Sequence, residues 1–481
     1  MKKIIVLVVN FILITNILSK ELSKDYYIYK DYFFTGQEFT PDEEILKNHD
    51  NNLPFIIPFM ESVLFNFTLT RFNRYVLKRE SSHITFDTIK DNFQHGFDWD
   101  TDALSTNFFM HPIQGSIYFN TARANGFSIE HSYSMALLGS LQWEFFMEVT
   151  PPSINDLIIT SVSGAFLGEM FFQITSLILD DSQTGFSRAF TEISSGLIAP
   201  GRFFSRLANG SAYRHTKYKL YSQKKYKFNL GLGLNYLSDK DDISSFDGTP
   251  ELTLNIEFEY GNPFNVKKIK LLKYFDLRVM LKVLRVERES LLSVIDANGI
   301  LFGRHYVKDN HHIILSFNQY FNYFNTEIYQ IGALKLGPTI RYRSKVYGDF
   351  ALEFKLGLTA VPMSGILSTY SKYHLVEKIN KSKEYNTSWG GSVDFSVKLL
   401  TKYVNFKLDY ILWVLKTFDN VDAGALGTEI SSMLKPSIEA NIKKIILRFE
   451  LLSYYNEGKY INYPDSKRTI NELRFVLGYR F

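Results

Sequence analysis

The last eleven residues of the chain, Asn471 to Phe481, are NELRFVLGYRF. Every second side chain is large and apolar: Leu473, Phe475, Leu477, Tyr479 and Phe481. Since successive side chains of a β-strand point to opposite sides, the stretch predicts a strand with one apolar face. An apolar face that continues to the terminal residue is typical of a transmembrane barrel strand, whose outer face meets lipid.

The same alternation recurs about twelve times after Tyr213. The segments lie at Tyr226–Tyr236, Leu252–Tyr260, Leu277–Val283, Leu291–His305, Ile313–Tyr323, Ile328–Tyr342, Phe350–Leu358, Val393–Leu399, Val404–Leu412, Gly427–Asn441, Ile445–Leu451 and the terminal stretch. Segments of about 11 residues, at about 3.3 Å each and tilted by about 40°, rise roughly 28 Å, which matches the apolar band of an outer membrane. The sequence therefore predicts an α+β fold, with an N-terminal helical domain followed by an antiparallel transmembrane β-barrel of about 12 strands. A soluble two-sheet β-domain is the alternative.

Composition narrows the function classes. The 481 residues include 42 Phe and 30 Tyr, and such rings favour membrane–water interfaces, although codon bias is another explanation for the excess. A net charge of +4 without basic, aromatic-interleaved runs argues against nucleic acid. The chain has no Cys, which excludes disulfides, thiolate nucleophiles and a cysteine-linked lipid anchor. We predict no cofactor.

The N-terminus has the pattern of an export signal. Lys2 and Lys3 precede the apolar stretch Ile4–Ile14, and a cleavage site follows Ser19. We predict a signal peptide at 1–19, a linker at 20–52, the helical domain at 53–210 and the barrel at 211–481. An uncleaved anchor is the alternative. The expected location is the outer membrane of a Gram-negative-type bacterium.

Helical spacing dominates residues 53–210, which we expect to lie at the periplasmic mouth or to plug the barrel lumen. Ser153-Ile154-Asn155-Asp156 has the spacing of a capping box, in which Ser153 is the N-cap and Asp156 bonds back to it, at the start of the segment Ile154–Leu179. That segment is long enough to cross a membrane, but Glu169 and Gln173 favour burial in protein instead. Its Gly164 and Gly168 predict close contact with another helix, most simply the preceding one through Ala136, Gly139 and Ser140.

Polar residues interrupt these apolar helices and form the candidate site. They are His111, Gln114, Tyr118, Asn120, Arg123, Glu144, Glu148, Asn155, Asp156 and Glu169. A buried carboxylate needs a cation, hydrogen bonds or a raised pKa. One hypothesis is a divalent metal site or an acid–base pair acting on lipid. The other is a structural network that fixes helix packing. No Gly-x-Ser-x-Gly motif is present, and His311, His312 and Ser316 give only a weak indication of a serine hydrolase.

Several stretches of the helical domain and the barrel resemble one bacterial protein family. The runs His111–Ser116, Tyr118–Asn120, Ala122–Arg123 and Asn125–Gly126 look like the core motif of a bacterial family, domain-of-unknown-function family 3943. Further matching runs follow in order: Ser140–Glu144, Pro152–Ile158, Leu167–Glu169, Gly299–Gly303 and Phe317–Phe324. The resemblance covers roughly residues 53 to 345 and implies an exported, barrel-like protein without implying a reaction. The terminal aromatic residue also resembles the C-terminal signature of bacterial outer-membrane proteins.

Two hypotheses for function follow. The first is a non-enzymatic outer-membrane module with a structural, transport, or solute- or lipid-binding role. The second is an outer-membrane enzyme acting on lipid or envelope substrate through the His/carboxylate cluster. The expected partners are membrane lipid and, through the strand ending at Phe481, the barrel-assembly machinery. We expect a monomer and no nucleic acid.

Overall fold

The computed structural model describes residues 38–40, 53–100, 102–238, 250–283, 291–326, 329–347, 350–367, 370, 385–401, 403–419 and 425–481. The predicted signal peptide at 1–19 and nearly all of the linker at 20–52 lie outside these residues.

Thirteen strands are present among the described residues, and twelve of them close into an antiparallel barrel. They are β1 Tyr226–Ser238, β2 Glu251–Tyr260, β3 Lys268–Ile269, β4 Phe275–Lys282, β5 Leu292–Lys308, β6 His311–Asn325, β7 Gln330–Tyr347, β8 Phe350–Ile366, β9 Asn386–Leu400, β10 Val404–Thr417, β11 Gly427–Ile442, β12 Ile445–Tyr460 and β13 Ser466–Arg480. β1 pairs with both β2 and β13, and β5 pairs with β6, so the wall is continuous. β3 only extends the edge of β5. The predicted fold class and strand number are confirmed.

Contacts across the lumen identify the inner face of the wall. Arg448 on β12 bonds to Glu257 on β2, and these strands are separated by β1 and β13. Arg448 and Glu257 therefore point into the lumen. Because side chains alternate along a strand, the residues directly before and after an inward residue point outward. They include Leu232, Leu358 and Leu477, which are more than half exposed. The apolar face predicted from the terminal stretch is thus the outer face of the barrel.

The two ends of the barrel differ in their connections. At one end, which we call the turn end, most links are short, such as the two residues between Ile442 and Ile445. At the other end, the loop end, the links are longer, including that from Ile366 to Asn386. Tyr226 and Phe481 lie together at the turn end, where the Phe481 amide donates to the Phe228 carbonyl at 3.0 Å. Short turns on the periplasmic side are typical of outer-membrane barrels.

The helical domain contains eight α-helices within the described residues. They are α1 Ile56–Tyr75, α2 Phe86–His95, α3 His111–Ala124, α4 Ile129–Phe146, α5 Ile154–Ile158, α6 Gly164–Ile178, α7 Gly185–Ile198 and α8 Pro200–Ala208. π-helical turns at Thr106–Met110 and Ile159–Ser163 lead directly into α3 and α6. The Ser153 hydroxyl accepts a bond from the Asp156 amide, so the predicted N-cap is present.

The helical domain packs against the outer face of the barrel wall, and not in the lumen or at the periplasmic mouth, the two positions expected from the sequence. The amide of Gln319, an outward residue of β6, donates to the Val162 carbonyl at 3.2 Å. The rings of Phe109 and Tyr323 stack with centroids 6.0 Å apart. At Gly332 of β7, an added Cβ would lie 2.1 Å from the Phe108 ring, so only glycine permits this approach.

The lumen has no room for a domain because the barrel fills it with its own side chains. Near the loop end, the rings of Tyr329 and Tyr454 stack across the interior with centroids 4.6 Å apart. Trp413 and Phe324 pack beside them. The sequence did not predict that side chains fill the lumen. Near the loop end the inward residues are apolar, as the outward ones are, so alternation of polarity does not distinguish the two faces there.

The segment Ile154–Ile178 runs along the full height of the wall. Its first residue bonds to the Asp98 carbonyl, next to Trp99, whose ring lies 4.7 Å from Phe418 at the loop end. Near its other end, Gln173 accepts a bond from Tyr260 at the turn end. Its 25 residues span about 37 Å, which is enough to cross a bilayer, and 72% of its most apolar window is buried in the protein.

The helix that contacts this segment most closely is α3 and not, as expected, α4. A Cβ on Gly164 would lie 2.6 Å from the Gly115 Cα, and Gly168 faces the Phe119 ring. Gly139 of α4 instead accommodates the Tyr118 ring. The small residues of α4 and α6 thus both contact the central helix α3, an arrangement that sequence spacing alone does not specify.

Candidate functional site

Five of the ten predicted site residues meet in one cluster at the loop end of the helical domain. They are His111, Glu144, Glu148, Asn155 and Asp156. His111 begins α3, the two glutamates lie at the end of α4 and just beyond it, and the other two lie on α5. Pro152 ends the preceding segment, and Ser153 caps the first turn of α5. In this turn the Asn155 and Asp156 side chains are buried in the cluster.

His111 lies between two oxygen-bearing side chains. Its Nδ1 is 3.1 Å from the Thr160 hydroxyl, and its Nε2 is 3.7 Å from an Asp156 carboxylate oxygen. The π-helical turn before His111 and the one that contains Thr160 face each other here. Such turns shift side chains out of regular α-helical positions and recur at functional sites.

The carboxylates of the cluster are held mainly by backbone and ring donors. Glu144 accepts a bond from the Ser153 amide at 2.7 Å, while its other oxygen has no hydrogen-bond partner. Glu148, in the loop that follows α4, accepts a bond from the Trp143 ring at 2.8 Å. Burial raises the pKa of Glu148 to about 7, and His111 opposes this shift.

The residues that join the cluster to the barrel lie outside the set predicted from the sequence. The Asp100 amide donates to Asn155 at 2.9 Å, and Asn107 donates both to Asp100 and to the Tyr385 hydroxyl, which precedes β9. The sequence did contain a signal for these contacts: three aspartates, at 98, 100 and 102, lie close together just before an apolar helical segment. Acidic residues are seldom buried without partners, so such a group suggests specific contacts. Tyr385 gave no such signal.

The other five predicted residues lie elsewhere. The Arg123 guanidinium donates to Glu169 at 2.9 Å, and Gln173 also donates to Glu169. Gln114 donates to the Tyr118 hydroxyl at 2.6 Å, and this hydroxyl donates to Asn66. The Asn120 amide donates to two helix carbonyls, those of residues 116 and 168. Each of these groups joins two helices.

The main cluster is sealed. His111 is 6% exposed, Asp156 4% and Glu144 2%. Within the described residues, no group of three or more His, Asp or Glu side chains could hold a metal ion. A sealed, mutually bonded set of polar groups fits a structural network better than a site that must admit a substrate. The possible hydrolase residues are also apart: Ser316 donates to Asn318, whereas His311 contacts Tyr342.

Comparison with known families gives one match. Residues 96–201 match the model of the domain of unknown function DUF3943. This confirms the resemblance carried by the motifs after His111, over a shorter range than the sequence analysis assigned. The matched range contains the seven motif runs of the helical domain and all five clustered residues. None of the curated proteins matches the chain.

Solved structures similar to the chain are outer-membrane barrels. The NanC porin is 8% identical, with 52% of this chain and 98% of the porin covered and a TM-score of 0.26. The outer membrane channel DcaP of Acinetobacter baumannii is 10% identical, with coverages of 53% and 96% and a TM-score of 0.24. The KdgM porin is 10% identical, with coverages of 53% and 99% and a TM-score of 0.25. The closed twelve-strand wall and its apolar outer face characterise this protein as an outer-membrane barrel.

Proposed function

We propose that the protein is a lipid-contacting structural module of the outer membrane, in which the helical domain sits in the bilayer against the barrel wall. In this proposal the lumen is not a conduit, and the buried polar cluster fixes the helices to one another and to the wall. The enzymatic alternative requires a cluster open to substrate, and the burial of His111 and Asp156 argues against it.

The observation that carries the proposal is the inverted surface of α1. Its buried side chains include Ser62, Asn66, Thr70 and Asn73, all of them polar. Its exposed side chains include Met60, Leu64, Phe67, Phe72 and Tyr75, each at least 47% exposed. A helix at the surface of a water-soluble domain has the opposite arrangement. Apolar residues outside and small polar residues between helices are typical of helices in lipid.

A second helix has the same inversion at the turn end. α7 exposes Phe186 at 84% and Leu197 at 83%, while Arg188 and Glu192 are buried and paired with each other at 2.7 Å. The helix follows Ile178, where the long segment reaches the turn end of the wall. An amphipathic helix at this height fits the membrane interface, with its apolar face among the acyl chains.

Large apolar side chains are exposed on both domains. On the side of the barrel away from the helices, Leu477 is 58% exposed and Leu232 53%. The helices cover the outer face of β2 and β4–β8, and helices such as α1 expose apolar residues of their own. Apolar exposure on both domains supports a shared bilayer.

Spin labelling in vesicles tests the proposal, because the chain has no Cys and a single substitution gives a unique label. A nitroxide at Leu64→Cys should collide more often with oxygen, which partitions into lipid, than with a water-soluble nickel chelate. A nitroxide at Lys459→Cys, a 61% exposed side chain near the loop end, should show the reverse. Equal or greater nickel accessibility at position 64 would contradict the proposal.

A further inference from the structure

We propose that the turn-end half of the lumen binds a small oxyanion, a carboxylate or phosphate group, in a blind vestibule. The site lies on the inner face of the wall and is independent of the lipid-contacting surface proposed above.

The vestibule is closed towards the loop end. Tyr329 reaches across the lumen to Tyr454 and also donates to the Met433 sulfur at 3.4 Å. Trp413 is fully buried beside this pair. A ligand therefore enters from the turn end, where a cavity of about 310 Å³ is lined by charged side chains of most strands. Solvent enters the cavity, since the Asp276 side chain that lines it is 44% exposed.

Most charges in this cavity are already paired. Arg448 bonds to Glu257 and Glu439, Arg343 bonds to Glu353, and Lys435 lies 3.5 Å from Asp409. These pairs join strands that are neighbours in the wall and strands that face each other across the lumen. Because each of these carboxylates already has a cationic partner, the pairs leave no free carboxylate to neutralise another lysine or arginine.

Lys355 is different, because it makes no ion pair within 4 Å among the described residues. It lies on β8 directly opposite Arg341 of β7, and both point into the cavity. Like charges directly opposite each other on adjacent strands are destabilising. The Tyr320 ring lies 5.6 Å from the Lys355 amine and gives partial compensation, as do the more distant carboxylates of Asp394 and Asp276.

Two further donors without an acceptor belong to side chains that line the same cavity. Arg341 donates one terminal nitrogen to Asp276 at 3.1 Å, and its buried Nε has no partner. Arg278 donates to Glu450 at 3.1 Å, and its buried Nε is also unpaired. A buried donor without an acceptor is costly. An oxyanion at the Lys355 amine would offset the repulsion between Lys355 and Arg341 and would offer an acceptor on the Arg341 side of the cavity.

Titration calorimetry on the detergent-solubilised full chain tests the site, with inorganic phosphate and succinate as separate probes. We expect one molecule of at least one probe to bind per chain. Lys355→Met should weaken binding at least tenfold, whereas Lys459→Met, which changes an exposed lysine outside the cavity, should not. Binding of phosphate alone or of succinate alone would identify which oxyanion the vestibule takes. Absence of heat with both probes, or equal affinity in Lys355→Met, would overturn the proposal.

A second measurement covers the case in which Lys355→Met does not fold, which heat-dependent mobility on gels would reveal. In the unmodified protein, a saturating concentration of the probe that binds should slow acetylation of Lys355 by acetic anhydride, followed by mass spectrometry. Acetylation of Lys459 should proceed unchanged. An unchanged rate at Lys355 would overturn the proposal and leave the lipid-contacting function intact.

Discussion

The barrel and the helical domain differ in secondary structure, but both place apolar side chains on the outside and polar side chains inside. In both, apolar residues such as Leu477 of β13 and Leu64 of α1 face outward, and polar residues lie inside. In the barrel a period of two makes this pattern visible in the sequence. In the helical domain the same inversion is hidden, because a helix with one apolar face is normally oriented with that face towards a protein core.

The two interiors differ in what they hold together. Inside the barrel, pairs such as Arg448–Glu257 join strands distant in sequence around a cavity. Inside the helical domain, pairs such as Arg123–Glu169 join neighbouring helices. Buried donors without a partner occur in both interiors, and Arg202 Nη2 is one among the helices. The distinguishing feature of the lumen is that its charged side chains line one cavity contributed by most strands.

Deleting Phe481 should have the largest effect and should act on the barrel alone. The residue closes β13 against β1 through its amide, and its ring lies 5.1 Å from that of Phe228. We also propose that the assembly machinery recognises this strand. The truncated protein should be strongly depleted from outer-membrane fractions measured by immunoblot. Normal levels would contradict both the role of the strand and its proposed recognition.

Glu169→Leu should act on the helical domain and spare the barrel. The Glu169 side chain is fully buried, and its loss leaves Arg123 as an uncompensated charge, which costs about 3–5 kcal/mol. Residues 53–210 should lose protease resistance in urea, while heat-dependent gel mobility of the barrel remains. Glu130→Leu, at an exposed acid of α4, is the matched control and should change neither property. Equal resistance in both variants would show that the buried pair does not hold the domain.

Gly332→Ala should loosen the contact between the two domains. The added Cβ would meet the Phe108 ring at 2.1 Å, and overpacking of this kind costs typically about 1–3 kcal/mol. The matched control is Gly391→Ala, at an outward glycine of β9 whose nearest neighbouring atom would be 3.6 Å away. Protease should cleave the helical domain faster in the first variant only. Similar rates in both would mean that the contact at Phe108 is not required.

Glu148 should give a smaller, pH-dependent effect. Its folded pKa is raised to about 7, so between pH 4.5 and 7 the folded protein binds more protons than the unfolded chain. The unfolding free energy of the helical domain should therefore fall as pH rises through this range. Glu148→Gln should reduce that dependence in urea titrations followed by proteolysis. A slope of the opposite sign would contradict the assigned shift.

The sequence predicted the barrel well and the helical arrangement only in part. In most of the twelve segments every second residue is apolar. Because side chains alternate between the two faces of a strand, this pattern alone shows which residues face lipid. The N-cap at Ser153 was predictable, since it depends on local hydrogen bonding. The position of the helices was not, because it depends on glycines such as Gly332 that fit particular rings. Residue type was enough to include His111 and Asp156 among the candidates, whereas their pairing and the contribution of Tyr385 depended on long-range packing.

The most direct test of the central claim is a cross-link between the helical domain and the outer face of the wall. In the Cys-free chain, Val162→Cys should be joined to Gln319→Cys by a short bis-maleimide, because the amide of Gln319 contacts the Val162 backbone. The adjacent pair, Val162→Cys with Asn318→Cys, should not react, since Asn318 points into the lumen and bonds to Asn298. Cross-linking at 319 alone is the result we predict. Cross-linking at 318 alone would place the helices inside the barrel and contradict the account.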